Sequence, residues 1–244
     1  MMPLVLRNDH QGISTLTLNR PETLNALSPA LFVELREHIE AIREQPEDIG
    51  CVILCGNGRS FSAGNDLKAI QAGERAPSKY YQAETLEALE AMPQVVIAAV
   101  QGHCYTGSLE LALACDLLIA AESARFADTH GKWSMAPTWG MTQRLPRRVG
   151  LVNAKMMMFT GKVYTGAEAV NIGLANEVVA DEALMDHCRA LADTITSNAW
   201  HTLRADKMLI KAGLERSYQA GLKFERENSP GPGADMAKRL AGGF

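Results

Sequence analysis

Short apolar runs alternate with segments of helical periodicity through the first three quarters of the chain. Three runs have the length and composition of buried strands: CVILCG (51–56), VVIAAV (95–100) and LLIAAE (117–122). The segment 28–45 places apolar residues on one helical face, a second helix is expected over about 78–92, and the pattern is helical from about residue 181. This alternation predicts an α/β fold with a helical C-terminal region, but it does not determine the order of the strands.

Local signals predict where several elements begin and end. The runs LVLRND and ISTLTLN on either side of His10-Gln11-Gly12 predict a hairpin. Ser28 is a candidate N-cap and Pro29 suits the first position of the helix that follows. Short helices are expected around 141–160 and 166–172. The helical pattern that starts near residue 181 is expected to end in the Pro/Gly-rich loop SPGPGADM.

Composition excludes several classes of protein. A chain of 244 residues that is 47% hydrophobic can bury one large core, and its net charge of −4 gives no electrostatic reason to expect nucleic acid. No apolar run approaches the ~18–20 residues of a membrane span, and the N-terminal segment becomes polar too early for a secretory signal. The five cysteines contain no C-x-x-C pair, so neither a disulfide framework nor a metal site is expected. These features predict a soluble, cytoplasmic protein.

Common catalytic signatures are missing, and two strand-to-helix corners remain. The sequence has no phosphate loop, no G-x-S-x-G elbow and no H-E-x-x-H. In CVILCGNGRSFSAGNDL and VVIAAVQGHCYTGSLELALACD, an apolar strand leads through Gly64 or Gly107 into an expected helix. Glycine tolerates unusual backbone angles and close approach, and a helix start presents free N–H groups. Two such corners facing each other can hold an anionic oxygen between their backbone donors. Alternatively, both are ordinary glycine-containing turns.

Glu110 is the one acidic residue within the apolar run YTGSLELALAC. Burial without a partner disfavours the charged form of a carboxyl group and raises its pKa toward neutrality, which suits a general acid or base. Alternatively, Glu110 is a solvated residue in the first turn of a helix, where the macrodipole favours negative charge. The residues alone leave both interpretations open.

Several ordered motifs together resemble one known family. FSAGNDLKAI, then GSLELALACDLLIA, then FADTHGKWSMAPTWGMTQRL are similar to segments of the enoyl-CoA hydratase/isomerase, or crotonase, superfamily. NRPETLNALSPAL and YTGAEAVNIGLANEVV resemble further segments, so the likeness covers essentially the whole chain. It implies a crotonase-like spiral of ββα units over 1–190 and a C-terminal helical trimerisation region over 191–244. Trp133 and Trp139 are interpreted as core or subunit contacts.

The resemblance implies an oxyanion hole for an acyl-coenzyme A thioester. Its two backbone N–H donors would belong to Asn65 and Gly107. Many family members have Ala where this chain has Asn65, but the main chain donates, so the difference does not remove the hole. Ala63, Asp66, Leu67 and Lys68 match the segment that lies along the coenzyme in the family. Alternatively, Asp66 caps a helix and Lys68 is solvated.

The resemblance also implies two catalytic groups beside that hole. Glu110 occupies the place of one family carboxylate. His130 stands where the family usually has the second, within a loop that reads FADTHGKWSM here. Histidine exchanges protons near neutral pH and can replace Glu in acid/base chemistry, with Asp128 and Thr129 near enough in sequence to orient its ring. Alternatively, His130 only lines the pocket.

Hydration of a 2-enoyl-CoA through an enolate-like intermediate is the leading prediction. The alternatives are double-bond isomerisation, hydrolysis or decarboxylation of a specialised acyl-CoA, and non-catalytic acyl-CoA binding. The resemblance implies no separate cofactor, because coenzyme A is part of the substrate. It also implies a homotrimer or homohexamer.

Overall fold

A computed structural model describes residues 2–242. Its nine strands are β1 (Val5–His10), β2 (Ile13–Leu18), β3 (Cys51–Gly56), β4 (Val95–Val100), β5 (His103–Tyr105), β6 (Leu117–Ala121), β7 (Arg125–Ala127), β8 (Tyr164–Thr165) and β9 (Glu177–Val179). The first five helices are α1 (Pro29–Arg43), α2 (Leu67–Gln71), α3 (Tyr81–Glu90), α4 (Gly107–Leu113) and α5 (Met141–Thr160). The other five are α6 (Gly166–Asn171), α7 (Leu184–Ser197), α8 (Trp200–Leu214), α9 (Tyr218–Asn228) and α10 (Met236–Gly242). The predicted α/β class is confirmed.

Two sheets organise the chain. The larger has the order β1-β2-β3-β4-β6-β9, in which β1 and β2 form the expected antiparallel hairpin and the remaining neighbours are parallel. The smaller sheet has the order β5-β7-β8. Because β5 follows β4 after only two residues, the chain passes from the large sheet to the small one immediately before α4 begins.

The large sheet is buried on both faces. Val52 and Leu54 of β3 belong to the main core with α1 and α3, whereas Cys51 and Ile53 point into a second cluster covered by α7. Side chains along a strand alternate between faces, so a wholly apolar strand suits this double burial. All five cysteines are free and buried. Burial raises the pKa of Cys51 to about 12, so this thiol serves as packing.

The predicted signals at the start of α1 are confirmed. Ser28 is the N-cap, and its hydroxyl accepts a hydrogen bond from the N–H of Leu31, with Pro29 at the first helical position. The short helices predicted within 141–160 are confirmed. The segment α5 consists of two of them, which meet at a kink at Gly150, where φ is +76°. The chain also continues beyond the Pro/Gly loop into α10.

The C-terminal helices pack on the chain's own core. The Lys207 ammonium of α8 donates to the Asp116 carboxylate at 2.6 Å and to the Gln94 carbonyl at 2.8 Å. The Trp200 ring lies so close to Gly50 that a Cβ there would come within 2.5 Å of it. The division expected at residues 190 and 191 stays a prediction, and α7 runs through it. None of the helices formed by residues 2–242 combines the length and apolar character needed for a membrane span.

Candidate active site

The first corner is a tight turn between β3 and α2. Gly64 has φ +99°, and a Cβ there would lie 2.6 Å from the Tyr105 carbonyl oxygen, so the position requires glycine on both counts. The Gly64 carbonyl accepts from Leu27 N–H, and Asp66 N–H donates to the Leu27 carbonyl. These bonds hold Asn65 in extended backbone alongside Leu27.

The second corner places its unusual backbone one residue earlier than expected. Thr106, not Gly107, has the left-handed φ of +54°. Such a conformation costs a non-glycine residue about 1–3 kcal/mol, and surrounding contacts must fix it. Thr106 N–H donates to the Ala127 carbonyl at 2.8 Å, and the Thr106 hydroxyl accepts from Thr129 N–H at 3.0 Å. Gly107 is instead needed for close approach, as the first residue of α4.

The two corners bring the backbone nitrogens of Asn65 and Gly107 together. The Asn65 nitrogen lies 3.4 Å from the position that a Cβ on Gly107 would take, and the Gly107 nitrogen lies 3.7 Å from the corresponding position on Gly64. Within residues 2–242, neither N–H donates a hydrogen bond to a protein group. Two free amides this close can bind one oxygen atom between them. The expected proximity of the two donors is therefore found.

Glu110 lies beside this pair in the first turn of α4 and is only 1% exposed. Its Oε1 accepts from Met141 N–H at 2.9 Å and from Trp139 N–H at 3.2 Å. Burial raises the pKa of Glu110 to about 7, although the Met141 hydrogen bond and the charge of His130 oppose the rise. The alternative of a solvated first-turn glutamate is wrong, because the carboxyl group has almost no contact with water.

His130 meets Glu110 and is oriented by Asp128. The His130 Nε2 lies 3.9 Å from Glu110 Oε2, and its Nδ1 lies 2.6 Å from Asp128 Oδ1, which also accepts from the His130 backbone N–H. Burial lowers the pKa of His130, but the hydrogen bond and charge of Asp128 and the charge of Glu110 outweigh it, so the net pKa is raised. The three buried groups form one connected acid–base cluster. Its catalytic use stays a prediction.

The segment expected to lie along the coenzyme begins α2. Asp66 is the N-cap, accepting from Ala69 N–H at 2.9 Å, and it pairs with Arg20 at 2.7 Å. Asp66 therefore caps α2, as the alternative interpretation expected. Ala63 and Leu67 are half-buried and Lys68 is exposed. Coenzyme binding by these four residues stays a prediction.

Trp139, interpreted from the sequence as a core or subunit contact, packs against the core and also lies at the site. A Cβ on Gly107 would lie 2.5 Å from Cζ3 of the Trp139 ring, so the indole borders the two free amides. The ring also packs edge-on against Phe32, with centroids 5.1 Å apart. Its position nine residues after His130, in the same loop as the second catalytic candidate, is the signal that could have placed it at the site. Trp133, by contrast, is 62% exposed.

Comparisons with known proteins agree with this geometry. Residues 8–237 match the family model for enoyl-CoA hydratase/isomerase. A putative enoyl-CoA hydratase/isomerase of Bacillus subtilis, YngF, is 39% identical over 91% of this chain and 86% of its own. A crotonyl-CoA hydratase of Syntrophomonas wolfei is 31% identical over 91% and 87%. The crystal structure of an enoyl-CoA hydratase from Bacillus anthracis superposes with a TM-score of 0.87 at 35% identity, covering 92% of this chain and 88% of that one. The crotonase-like fold is thereby confirmed.

Proposed function

The chain belongs to the enoyl-CoA hydratase/isomerase family, and we propose that it adds water to the double bond of a 2-enoyl-CoA thioester. One observation carries the proposal: two free amides lie beside a buried Glu110–His130 pair whose side chains are 3.9 Å apart. The amides suit a thioester oxygen, and the pair offers one group to take a proton and another to give one.

The amides of Asn65 and Gly107 would stabilise charge that develops on the thioester oxygen. Addition of water to carbon 3 moves electrons onto this oxygen, giving an enolate at carbon 2. An oxyanion binds to preorganised N–H donors more strongly than the ground-state carbonyl does, so the donors favour the transition state. Loss of one such donor typically lowers turnover about 10²–10³-fold.

Glu110 and His130 would divide the proton transfers. Ionised Glu110 takes a proton from water as its oxygen bonds to carbon 3, and protonated His130 gives its Nε2 proton to carbon 2. Both hydrogens and the oxygen of one water are then accounted for, because the remaining water hydrogen stays in the new hydroxyl. Transfer of a proton from Glu110 to His130 restores the starting state, with Asp128 holding the ring in place throughout.

This division predicts a bell-shaped pH profile. The Glu110 pKa of about 7 means that activity falls as the pH drops below 7 and the base becomes protonated. Because the pKa of His130 is raised, its acidic form persists above the usual range and is lost only at higher pH. The two limbs are macroscopic properties of a coupled pair rather than of single residues.

The direct test is turnover of crotonyl-CoA, followed by loss of enoyl thioester absorbance and a product mass greater by one water. In D₂O the product should carry one deuterium at carbon 2. A product with no added water, formed from a 3-enoyl-CoA, would instead identify an isomerase. Binding without turnover of any acyl-CoA would indicate a non-catalytic binding protein, and release of free coenzyme A would indicate a hydrolase.

The variant His130→Ala separates hydration from isomerisation. Isomerisation needs a single base that moves one proton between carbons, and Glu110 can provide it. Hydration as proposed needs both groups. The variant is therefore expected to lose hydration of crotonyl-CoA about 10²–10⁴-fold while retaining isomerisation of a 3-enoyl-CoA, where the parent shows it. Equal hydration by the variant and the parent would reject the proposed role of His130.

We also propose that the substrate's coenzyme A runs along Ala63, Asp66, Leu67 and Lys68. Lys68 is exposed and free to approach a phosphate, whereas Asp66 is held by Arg20 and acts by shaping the turn. The variant Lys68→Ala should raise KM with little change in kcat, because an interaction made equally in ground and transition states affects only binding. An unchanged KM would remove Lys68 from the coenzyme site.

We propose a homotrimer, or a pair of trimers, as the assembly. Several large apolar side chains on α5 are exposed in the single chain: Leu151 (59%), Val152 (80%), Met156 (52%) and Phe159 (77%). Contiguous apolar surface of this kind marks a protein–protein contact. Light scattering coupled to gel filtration should give three or six times the chain mass, and a monomer would reject the assembly.

A further inference from the structure

We infer that Trp139 sets the acyl-chain length of the substrate and restricts the enzyme to short 2-enoyl-CoA thioesters. The inference rests on the proposed function, because it names the substrate class for the same site. It concerns a residue outside the acid–base cluster and the pair of amides.

The Trp139 ring occupies space immediately beside the two amide donors. Its Cζ3 and Cε3 atoms would lie 2.5 and 3.1 Å from a Cβ on Gly107, and the Asn65 nitrogen lies 3.4 Å from the same point. The six-membered ring of the indole therefore lies next to both amides. A thioester oxygen held between the amides brings its acyl carbons against this ring.

Hydrogen bonds fix the backbone of Trp139, and one aromatic contact places its ring. The backbone N–H of Trp139 donates to Glu110 Oε1, and its backbone carbonyl accepts from Arg144 Nη1 at 2.7 Å. Arg144 is itself paired with Glu90 of α3 at 2.8 Å. The indole packs edge-on against Phe32, which is completely buried. With its backbone fixed and its ring packed on a buried phenylalanine, Trp139 acts as a wall of the acyl site.

The path of the acyl group then runs between the wall and the catalytic pair. Carbons 2 and 3 must lie near Glu110 and His130 to exchange protons with them. The backbone N–H of Trp139 donates a hydrogen bond to Glu110, so the ring belongs to a residue beside this pair. The flat, conjugated enoyl unit can lie along the indole face. In this pose further methylenes meet the edge of the ring, so a long acyl chain has to displace the ring from Phe32. Short acyl groups are therefore favoured over long ones.

Binding of saturated acyl-CoA thioesters tests this inference separately from turnover, because these esters contain no double bond to hydrate. Isothermal titration should show that the parent binds butyryl-CoA at least about 10-fold more tightly than decanoyl-CoA, as each clashing methylene costs affinity. In Trp139→Ala the two Kd values should agree within about 3-fold, through a gain for decanoyl-CoA. In turnover, the ratio of kcat/KM for the C4 and C10 2-enoyl esters should move in the same direction.

Two further variants guard against a trivial result. Trp139→Phe retains one ring against Phe32, and its ratio of Kd values for decanoyl-CoA and butyryl-CoA should lie between those of the parent and Trp139→Ala. This variant tests the inference even where the alanine variant folds poorly. Trp133→Phe makes the same substitution at an exposed position of the same loop, and its Kd ratio should equal that of the parent. Equal binding of the two esters by the parent, or an unchanged ratio in both Trp139 variants, would overturn the inference. Selective binding without hydration would instead reject the proposed function alone.

Discussion

Two strand-to-helix corners in this molecule share a local construction but have opposite electrostatics. In the first, β3 leads through Gly64 to α2, and Asp66 caps that helix. In the second, β5 leads through Thr106 into α4, and Glu110 lies in its first turn. Both acidic residues are buried, with 7% and 1% of their surfaces exposed. Local sequence placed Glu110 in an apolar run and Asp66 at a helix start, but it left open whether Glu110 is buried or solvated.

The groups around Asp66 and Glu110 shift the pKa values of the two carboxyl groups in opposite directions. Burial raises the pKa of Asp66, but the Ala69 N–H and the Arg20 guanidinium outweigh it, so the net pKa is lowered. At Glu110 burial dominates, because the groups that oppose it are two backbone N–H groups and an imidazole 3.9 Å away, and the pKa reaches about 7. A permanent cation keeps Asp66 ionised and structural. Without such a cation, Glu110 keeps a pKa near neutrality, which suits the proposed proton transfer.

The largest expected change in kcat distinguishes Glu110 from Asp66. Glu110→Gln keeps an oxygen to accept from Met141 and Trp139 but removes the base. Its kcat for crotonyl-CoA hydration should fall about 10³-fold, while the Kd for a saturated acyl-CoA stays within about 3-fold. Asp66→Asn should lower kcat less than about 10-fold. Similar losses of kcat in the two variants would show that the corners do not differ in function.

The next largest loss of kcat is expected when the backbone amides of Asn65 and Gly107 are disturbed. In Gly107→Ala the added methyl group would lie 2.5 Å from the Trp139 ring and 3.4 Å from the Asn65 nitrogen. The distorted hole should lose about 10²-fold in kcat for crotonyl-CoA. Gly213→Ala is the matched control, because nothing lies within 4 Å of the added atom and the helix gains stability. Full activity in Gly107→Ala would contradict the assigned hole.

The raised pKa of Glu110 also predicts a stability difference. A carboxyl group whose pKa rises from 4.5 in the unfolded chain to about 7 in the fold stabilises the fold fully below pH 4.5, and this stabilisation is lost as the pH rises through 7. Glu110→Gln has no such loss. Its free energy of unfolding should therefore exceed that of the parent by about 2–3 kcal/mol at pH 8, and by much less at pH 5. Denaturant titrations at the two pH values measure the difference, and an advantage independent of pH would contradict it.

A smaller effect is expected from Asp128, which positions the ring of His130. Asp128→Asn removes the charge that raises the pKa of His130, so the acidic form of the ring is lost at lower pH. The alkaline limb of the activity profile should move to lower pH, with a fall in kcat of about 10-fold at pH 8 and less at pH 6.5. A uniform decrease with an unmoved limb would indicate only structural damage.

The smallest effect is expected at Asn65. Its backbone nitrogen is the proposed donor, while the side-chain Oδ1 is buried without a hydrogen-bond partner in the described chain. Asn65→Ala keeps the N–H and removes the unsatisfied oxygen. Its kcat/KM for crotonyl-CoA should stay within about 3-fold of the parent. A loss above about 100-fold would assign the chemistry to the side chain instead.

The sequence by itself determined the elements of the fold and the candidates for the site. Apolar strands, the Ser28 cap and the hairpin depend on neighbours within a few residues, and local periodicity encodes them. Ordered motifs likewise pointed to Asn65, Gly107, Glu110 and His130, although they did not show that Thr106 carries the positive φ at the second corner.

Only the tertiary structure decided how those candidates differ in chemistry. The pKa of Glu110 depends on burial and on N–H groups about thirty residues further along the chain, whereas that of Asp66 depends on Arg20, 46 residues earlier. The position of Trp139 beside Gly107 follows from its packing against Phe32. Electrostatic and steric effects act through distances in space, and no pattern of neighbouring residues in the chain specifies those distances.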